Sequence, residues 1–338
     1  MAERLLGIQA ARGGAAILVT VYHGGSMVSL PQYVGYNPTG EWFRFGHAGV
    51  DFFFVLSGFI IYFVHRGDFG RPERLGRYLW RRVTRVYPMY WLLTLVVVAM
   101  ALASPGGHHA MDFWYMVKSV LLLPQIGEPM LGVGWTLVYE VFFYTMFAVA
   151  IANGAAGVVA FGVWAGLLVL GLMVYYPVYA LQFASSSYHF QFFIGMAVAF
   201  AVMRWGFPVP RLIAVIGGVA FLAVGLAENA GAFEWAGTAS QILFGLAAGV
   251  IIGGLASAER AGALRAGPVA AWLGAISYVL YLSHVIVIGL TARALGIVGV
   301  VQVLPGWVVL VVTTLTALAV AGGLHRYVER PVLAWARR

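Results

Sequence analysis

The sequence of 338 residues contains no cysteine and little charge. Without cysteine, disulfides, thiolate metal ligands and a cysteine acyl-enzyme are all excluded. Only 9% of the residues are charged and 62% are hydrophobic, whereas about a quarter of the residues of a soluble globular protein are charged. We therefore expect an integral membrane protein, in which any nucleophile is a histidine, a hydroxyl residue, a carboxylate or a group of the substrate.

The positive charge of the chain comes almost wholly from arginine. The formal net charge is +8, and Lys118 is the only lysine. In a membrane protein such an excess mainly reports topology, because arginine collects in cytoplasmic loops. No basic motif interleaved with aromatic residues accompanies it, so we expect no nucleic-acid partner.

Ten stretches of the sequence are long and apolar enough to cross a bilayer, whose core of about 30 Å requires roughly 20 residues of helix. One more apolar stretch, 113–123, is too short and lies between two prolines, which predicts an interfacial or re-entrant segment. The sequence therefore predicts an all-α, polytopic integral membrane bundle, with a single membrane-embedded domain over 1–338 and no appended soluble domain. The predicted spans are 13–31, 47–65, 84–104, 133–152, 155–177, 189–205, 210–227, 236–256, 270–292 and 303–325.

The distribution of arginine predicts the orientation of these spans. The loop 66–85 contains seven arginines and only two acidic residues, and the positive-inside rule places such a loop in the cytoplasm. Counting ten spans then places both termini and the arginine-bearing loops 204–211 and 258–265 on the same side. We expect a multi-pass protein of the bacterial cytoplasmic (inner) membrane with cytoplasmic N- and C-termini.

Four ionisable side chains from four spans, His23, Asp51, Glu140 and His284, fall at similar depths in this topology. Burying such a group in hydrocarbon costs on the order of 3 kcal/mol, so each is a candidate for function. His23 is the leading one, because imidazole exchanges protons near neutral pH. Structural alternatives stay open: packing for either histidine, a helix cap for Asp51 and a charge pair for Glu140. Ser57 is expected to be a packing residue.

Arginines on the cytoplasmic side form a second candidate group. Arg82 and Arg85 are three residues apart, which places them on one face of a helix, and arginine binds phosphate oxygens in a bidentate manner. Membrane topology and contact with lipid headgroups are alternative explanations for arginines in this loop. Arg12 precedes His23 by 11 residues, about 16 Å along a helix, so Arg12 is expected at the cytoplasmic rim.

Several segments of the chain together resemble the membrane acyltransferase 3 family, and the opening is most similar to bacterial exopolysaccharide O-acetyltransferases. The resemblance covers most of the chain. It rests on Gln9-Ala10-Ala11-Arg12-Gly13 with Tyr22-His23, the segment 49–59 (GVDFFFVLSGF), the segment 81–88 (RRVTRVYP), the segment 134–140 (GWTLVYE), the segment 277–284 (SYVLYLSH) and Val328-Glu329-Arg330-Pro331.

The resemblance implies an acyl-CoA donor, usually acetyl-CoA, and a carbohydrate hydroxyl as acceptor. It also implies that His23 is essential, that Arg82 and Arg85 help to bind the donor, and that Arg12 belongs to the functional set. We expect acyl-CoA as a co-substrate, no permanently bound cofactor and no metal. The lipid bilayer and polysaccharide-assembly proteins are the other expected partners.

In the expected mechanism His23 is the general base for a sugar hydroxyl, and Glu140 orients its imidazole as the carboxylate does in a catalytic triad. Asp51, Tyr139, Tyr281 and His284 are expected to form a supporting polar cluster. An acetyl-histidine intermediate is the competing mechanism. Two other functions stay open: a transporter or flippase of glycan or acyl donor, and an acyltransferase for a lipid or small metabolite.

Overall fold

A computed structural model describes residues 6–103, 112–264 and 267–336, and these residues form helices and connections without any strand. Ten helices are long, which confirms the all-α bundle: α1 Leu6–Val28, α2 Gly49–His65, α3 Leu75–Leu102, α5 Trp135–Ala152, α6 Gly154–Gly171, α8 Tyr188–Arg204, α9 Pro210–Asn229, α10 Thr238–Arg260, α11 Pro268–Ile297 and α12 Gly306–Leu324. Three are short: α4 Phe113–Leu121, α7 Tyr179–Ala184 and α13 Arg330–Trp335.

Each of the ten predicted spans coincides with one long helix. Within the described ranges, nine helical segments are long and apolar enough to cross a membrane. The remaining long helix, α1, has 23 residues and is not among the nine, because Gln9, Arg12 and His23 reduce its hydropathy. The chain is thus a multi-pass membrane protein. Residue 104, the predicted end of the third span, Pro105 and Arg265 lie outside the described residues.

The short segment after α3 is a helix of nine residues, about 14 Å at 1.5 Å per residue. Asp112 caps its first turn by accepting a hydrogen bond of 3.0 Å from the Tyr115 N–H. At the other end Leu122 adopts a left-handed conformation (φ 54°), which ends the helix. This length confirms a segment that does not span the membrane.

Two boundaries differ from the sequence prediction, and both concern the arginine-bearing segments. The predicted loop 66–85 is largely helical, since α3 begins at Leu75 and carries Arg82 and Arg85 on its first turns. Arginine is a good helix former, and a helix need not stop where the hydrocarbon does. After α12 the chain forms a single π-helical turn, His325–Glu329, and then α13.

The long helices alternate in direction, so their connections lie at two ends of the bundle. The arginine-rich end carries the α2–α3, α5–α6, α8–α9 and α10–α11 connections and the C-terminal segment. A hydrogen bond of 2.9 Å from the Gly70 N–H to the Ala150 carbonyl joins two of these connections. The opposite end carries the α1–α2 and α9–α10 connections, which the Asn229 side chain joins by donating to the Trp42 carbonyl at 3.0 Å.

Helix α1 packs closely along α11. A Cβ on Gly13 would lie 2.8 Å from the backbone carbonyl carbon of Leu273, and a Cβ on Gly274 would also clash with the backbone of Gln9. Small residues at such a crossing allow two membrane helices to approach until their backbones touch. This crossing places the side chains farther along α1 directly against those of α11.

Candidate active site

A cavity of about 1170 Å³ extends from the arginine-rich end to the first residues of α2 and α5, Val50 and Thr136, and lies between α1, α2, α3, α5, α11 and the C-terminal segment. This volume is at the upper limit of the range typical of small-molecule sites. Five arginines line it: Arg12, Arg77, Arg81, Arg82 and Arg85. The structure therefore brings together the three arginines that the sequence singled out and adds two more from the first turns of α3.

The two arginines of the predicted phosphate pair have different surroundings. Arg85 forms an ion pair with Glu329 and lies 4.7 Å from the centroid of the Tyr278 ring. Arg82 lies 5.6 Å from the centroid of Tyr144 and has no carboxylate partner in the parts of the chain that the structure describes. Arg82 is thus the guanidinium of the pair that is free to bind an anion, whereas Arg85 already has a counterion.

Arg12 enters the cavity from α1. One terminal nitrogen donates to the carbonyl of Gly274, and its buried Nε–H has no hydrogen-bond partner in the described ranges. A buried guanidinium that lacks a counterion is costly. Arg12 and Arg82 together give the cavity a surplus of positive charge, which an anionic ligand would neutralise.

Glu140 lines the same cavity but does not contact His23. Its Oε1 accepts hydrogen bonds from the Ser57 hydroxyl, at 3.0 Å, and from the Tyr144 hydroxyl. The carboxylate–imidazole pair expected from the sequence is therefore not present in this structure. Ser57, expected to be a packing residue, is instead a polar contact of the cavity.

The partner of His23 is His284 of α11. The Nδ1 of His23 lies 3.2 Å from the Nε2 of His284 and 3.1 Å from the carbonyl oxygen of Val19. The Nδ1 of His284 lies 2.6 Å from the carbonyl oxygen of Tyr281 and 3.2 Å from that of Leu280. These two imidazoles from α1 and α11 form a histidine pair in contact with the backbone of both helices.

The contacts of the histidine pair assign its tautomers. Carbonyl oxygens only accept, so the Nδ1 of His284 carries the proton and its Nε2 has a lone pair in the neutral ring. The Nδ1 of His23 then donates to that lone pair and to the Val19 carbonyl. The Nε2 of His23 consequently has a free lone pair, and it makes no hydrogen bond to any residue of the described ranges.

Tyr281 connects the cavity to the histidine pair. It is the outermost residue of α11 that lines the cavity, and its hydroxyl accepts a hydrogen bond of 3.0 Å from Thr136. The centroid of its ring lies 5.8 Å from that of His284. His23 and His284 do not line the cavity, but the Tyr281 ring, which does, lies next to that of His284.

Two of the predicted cluster residues lie elsewhere. Asp51 is buried, and its Oδ1 accepts a hydrogen bond of 2.8 Å from the Gln191 side chain of α8. Its side chain makes no capping bond to α2. Tyr139 donates to the Ser186 hydroxyl at 3.2 Å within an aromatic cluster. The four ionisable groups of similar depth thus belong to three separate clusters, of which one contains both histidines.

Besides Arg77 and Arg81, sequence reasoning missed three side chains that contact residues of the site. Tyr144 follows Glu140 by four residues, a helical spacing that would have indicated their contact. Tyr278 and Glu329, in contrast, contact Arg85 from distant parts of the chain. The local spacing of residues does not predict contacts of this kind. Among the described residues, no group of three or more histidine, aspartate or glutamate side chains is arranged to hold a metal ion.

Comparison with known proteins identifies the family. The model described as "Acyltransferase domain" matches residues 5–326. The chain is 30% identical over 311 residues to exopolysaccharide production protein ExoZ of Rhizobium meliloti (strain 1021), which covers 87% of this chain and 92% of that protein. It is 26% identical over 131 residues to O-acetyltransferase OatA of Staphylococcus aureus (strain NCTC 8325 / PS 47), which covers 34% of this chain and 22% of OatA. No solved structure matches. Because the family match covers residues 5–326, this chain belongs to the acyltransferase 3 family and is a membrane acyltransferase.

Proposed function

We propose that this protein is a membrane O-acyltransferase that moves an acetyl or other short acyl group from acyl-CoA to a hydroxyl of a carbohydrate. The observation that carries the proposal is the arrangement of an arginine-lined cavity with uncompensated charge, adjacent to a histidine pair with a free lone pair. The acceptor class is supported by the relatives named for exopolysaccharide production and for O-acetyl transfer. An exopolysaccharide, another cell-surface glycan or its lipid-linked precursor is the expected acceptor.

The donor fits the cavity by charge and by length. Coenzyme A carries several phosphates, and the unpaired guanidinium groups of Arg82 and Arg12 would bind them in a bidentate manner. Its thin pantetheine arm contains amides, for which Ser57, Glu140 and Thr136 offer polar contacts farther inside. Along α1, His23 lies about 16 Å beyond Arg12, a distance comparable to the length of that arm.

In the proposed reaction His23 is the general base. The acceptor hydroxyl oxygen attacks the thioester carbonyl carbon while the Nε2 of His23 takes the hydroxyl proton, and the C–S bond then breaks. The proton passes from His23 to the departing thiolate, so the products are the ester and free coenzyme A. His284 holds the reactive tautomer by accepting from the Nδ1 of His23. A positioned base of this kind contributes typically about 10²–10⁴-fold to the rate.

The proposed location is the bacterial cytoplasmic (inner) membrane. The arginine-rich end would face the cytoplasm, where acyl-CoA is made, and both termini would lie on that side. This orientation gives the donor direct access to Arg82. The acceptor would arrive with the help of polysaccharide-assembly proteins, and mass spectrometry of surface polysaccharide with and without this protein would identify it.

Turnover of labelled donor by the purified full chain in lipid nanodiscs tests the proposal. We expect release of coenzyme A from [14C-acetyl]-CoA and labelled ester on methyl β-D-glucoside. His23→Ala should still bind coenzyme A but form the ester about 10²–10⁴-fold more slowly. Normal ester formation by His23→Ala contradicts the mechanism, and neither binding nor turnover of donor by the wild type would favour a transporter. Covalent label on the wild-type protein without acceptor would identify an acetyl-histidine intermediate.

A further inference from the structure

A second histidine contact occurs at the opposite end of the bundle, outside the arginine-lined cavity. His47 lies in the last turn of the short 3₁₀ helix Glu41–Ala48 that leads into α2, and Glu228 lies in the last turn of α9. The Nε2 of His47 lies 2.8 Å from Glu228, whose other oxygen accepts from the Ala236 N–H at 2.9 Å. Glu228 is only 3% exposed. Both oxygens of this buried carboxylate are thus bonded and fixed in place.

The contact with Glu228 leaves the second nitrogen of His47 available. A carboxylate accepts, so the Nε2 of His47 is an N–H and its Nδ1 carries a lone pair in the neutral ring. This Nδ1 has no hydrogen-bond partner in the described parts of the chain, and the side chain is 13% exposed. The hydrogen bond from the Nε2 of His47 is sufficient to join the 3₁₀ helix to α9, and Asn229 also joins these elements through its bond to Trp42. The free nitrogen is therefore positioned to accept a hydrogen bond from a hydroxyl group that enters from this end.

Tyr22 connects this pair to the catalytic histidine. The centroid of its ring lies 5.1 Å from that of His23 and 6.2 Å from that of His47, with edge-to-face geometry in both contacts. The cavity arginines approach the histidine pair from the arginine-rich end, whereas His47 lies toward the opposite end. A substrate at His47 would thus meet His23 from the side away from the donor.

The remaining surroundings of His47 fit a neutral sugar. The Trp235 ring lies 5.1 Å from that of His47 and is 43% exposed, so an exposed indole is available for stacking on the C–H face of a pyranose. The Arg44 guanidinium lies 5.7 Å from the same indole and is paired with Glu41 at 2.9 Å. Arg44 and His47 each have a carboxylate partner, and Glu234 next to Trp235 is exposed, so this surface offers no unpaired cation to attract an anionic acceptor.

We propose that His47, Tyr22 and Trp235, with Glu228 as the residue that positions His47, form the subsite for a neutral hexose unit of the acceptor. This inference rests on the proposed function and adds to it the place and the charge class of the acceptor. His47 binds a sugar hydroxyl through its Nδ1, Trp235 stacks on the ring, and Tyr22 lines the side of the subsite that faces the base His23. No bond is made or broken at His47.

The test measures donor and acceptor steps separately on the purified full chain in nanodiscs. For His47→Gln and Glu228→Gln we expect the KM for methyl β-D-glucoside to rise about tenfold, the effect of one lost hydrogen bond that leaves a buried partner unsatisfied. The affinity for coenzyme A and the rate of acetyl-CoA hydrolysis without acceptor should stay within about twofold of wild type, because the donor cavity is separate. Trp235→Leu, at an exposed position, is the variant least able to disturb folding, and it should raise the same KM.

His65 and Asp68 provide the matched control. They form a contact of the same chemistry, 2.9 Å long, at the arginine-rich end, so His65→Gln should leave the glucoside KM unchanged. The subsite is contradicted if His47→Gln and Trp235→Leu leave that KM unchanged, if they reduce donor affinity and transfer equally, or if methyl β-D-glucuronide replaces the glucoside equally well. Equilibrium binding of labelled methyl β-D-glucoside, lost in His47→Gln, tests the subsite even for a protein that turns over no acetyl-CoA, in which case only the proposed reaction would fail.

Discussion

The arginine-lined cavity and the histidine pair differ in how their charges are balanced. In the cavity, Arg12 and Arg82 have no carboxylate partner among the described residues, whereas the neighbouring Arg85 is paired with Glu329. At the histidine pair, the hydrogen bonds and ring contacts of His23 and His284 within the described residues involve each other, backbone carbonyls and tyrosine rings. The cavity therefore carries positive charge that an anion would neutralise, whereas the histidine pair is neutral and requires no counterion. Charge balance therefore separates the binding of the donor from the chemistry of transfer.

The largest expected effect comes from removing the neutral base. His23→Ala should reduce transfer to the glucoside about 10²–10⁴-fold, the usual contribution of a general base. The affinity for coenzyme A, measured by equilibrium binding, should stay at the wild-type value because the arginines are untouched. A His23→Ala protein with equally weakened donor binding would show that the two regions are not separate.

The next effect should distinguish the two arginines of the pair on α3. Arg82→Ala is expected to weaken coenzyme A binding about 10–100-fold, since hydrogen bonds between charged groups are worth about 1.5–3 kcal/mol. It should also make binding less dependent on salt. Arg85→Ala should mainly lower the thermal unfolding temperature, because it removes the guanidinium paired with the buried Glu329 and leaves only the His325 imidazole beside that carboxylate.

Titration of coenzyme A into both arginine variants, at low and high salt, measures this difference directly. Glu329→Gln is the matched control, because it removes the same ion pair from the other side. If Arg85→Ala weakened donor binding as strongly as Arg82→Ala, while Glu329→Gln did not, Arg85 would be a phosphate ligand despite its ion pair.

A smaller effect is expected from the second histidine. His284→Ala removes the acceptor for the Nδ1 proton of His23 and should lower the transfer rate about tenfold, the cost of one lost hydrogen bond. The Val19 carbonyl still favours the reactive tautomer. His284→Gln places an amide oxygen near the same position and should recover part of the rate. Equal rates for the two variants would contradict the assigned tautomers.

The smallest effect is expected for Glu140. Because its carboxylate contacts Ser57 and Tyr144 rather than His23, Glu140→Gln should lower transfer by less than about tenfold, within the range of a single hydrogen bond. Loss of an orienting carboxylate in a true triad costs about 10⁴-fold. The pH profile of transfer should also keep its midpoint. A loss of about a thousandfold or more would restore Glu140 as the partner of His23.

The helices of this bundle could be predicted from the sequence, because bilayer thickness sets the length of an apolar run wherever it occurs. All ten long helices lie where apolar runs indicated them. The residue types of the site, histidine and arginine at costly positions, were also evident. What the sequence could not predict is which side chains meet, since that depends on the rotation and lateral order of the helices.

The distances along the chain explain this limit. His23 and His284 are 261 residues apart, and Arg85 and Glu329 are 244 apart. Depth alone placed Asp51 and Glu140 near His23. In the structure, Asp51 instead accepts a hydrogen bond from Gln191 of α8, and Glu140 accepts one from Ser57 of α2. Glu140 does not contact His23 in this structure, because two residues of equal depth can have different lateral positions in a bundle.

The position of the last helix affects how the protein is handled. Leu333 and Ala336 line the arginine-rich cavity, and the Trp80 indole donates to the Ala336 carbonyl at 2.9 Å. An affinity tag attached close to Ala336 would lie at the mouth through which the donor is proposed to enter. Purification tags, fluorescent proteins or immobilisation linkers attached there would obstruct the cavity and disturb measurements of donor binding. The 3₁₀ helix Glu41–Ala48 must also stay untagged, which leaves other connections of the bundle for such additions.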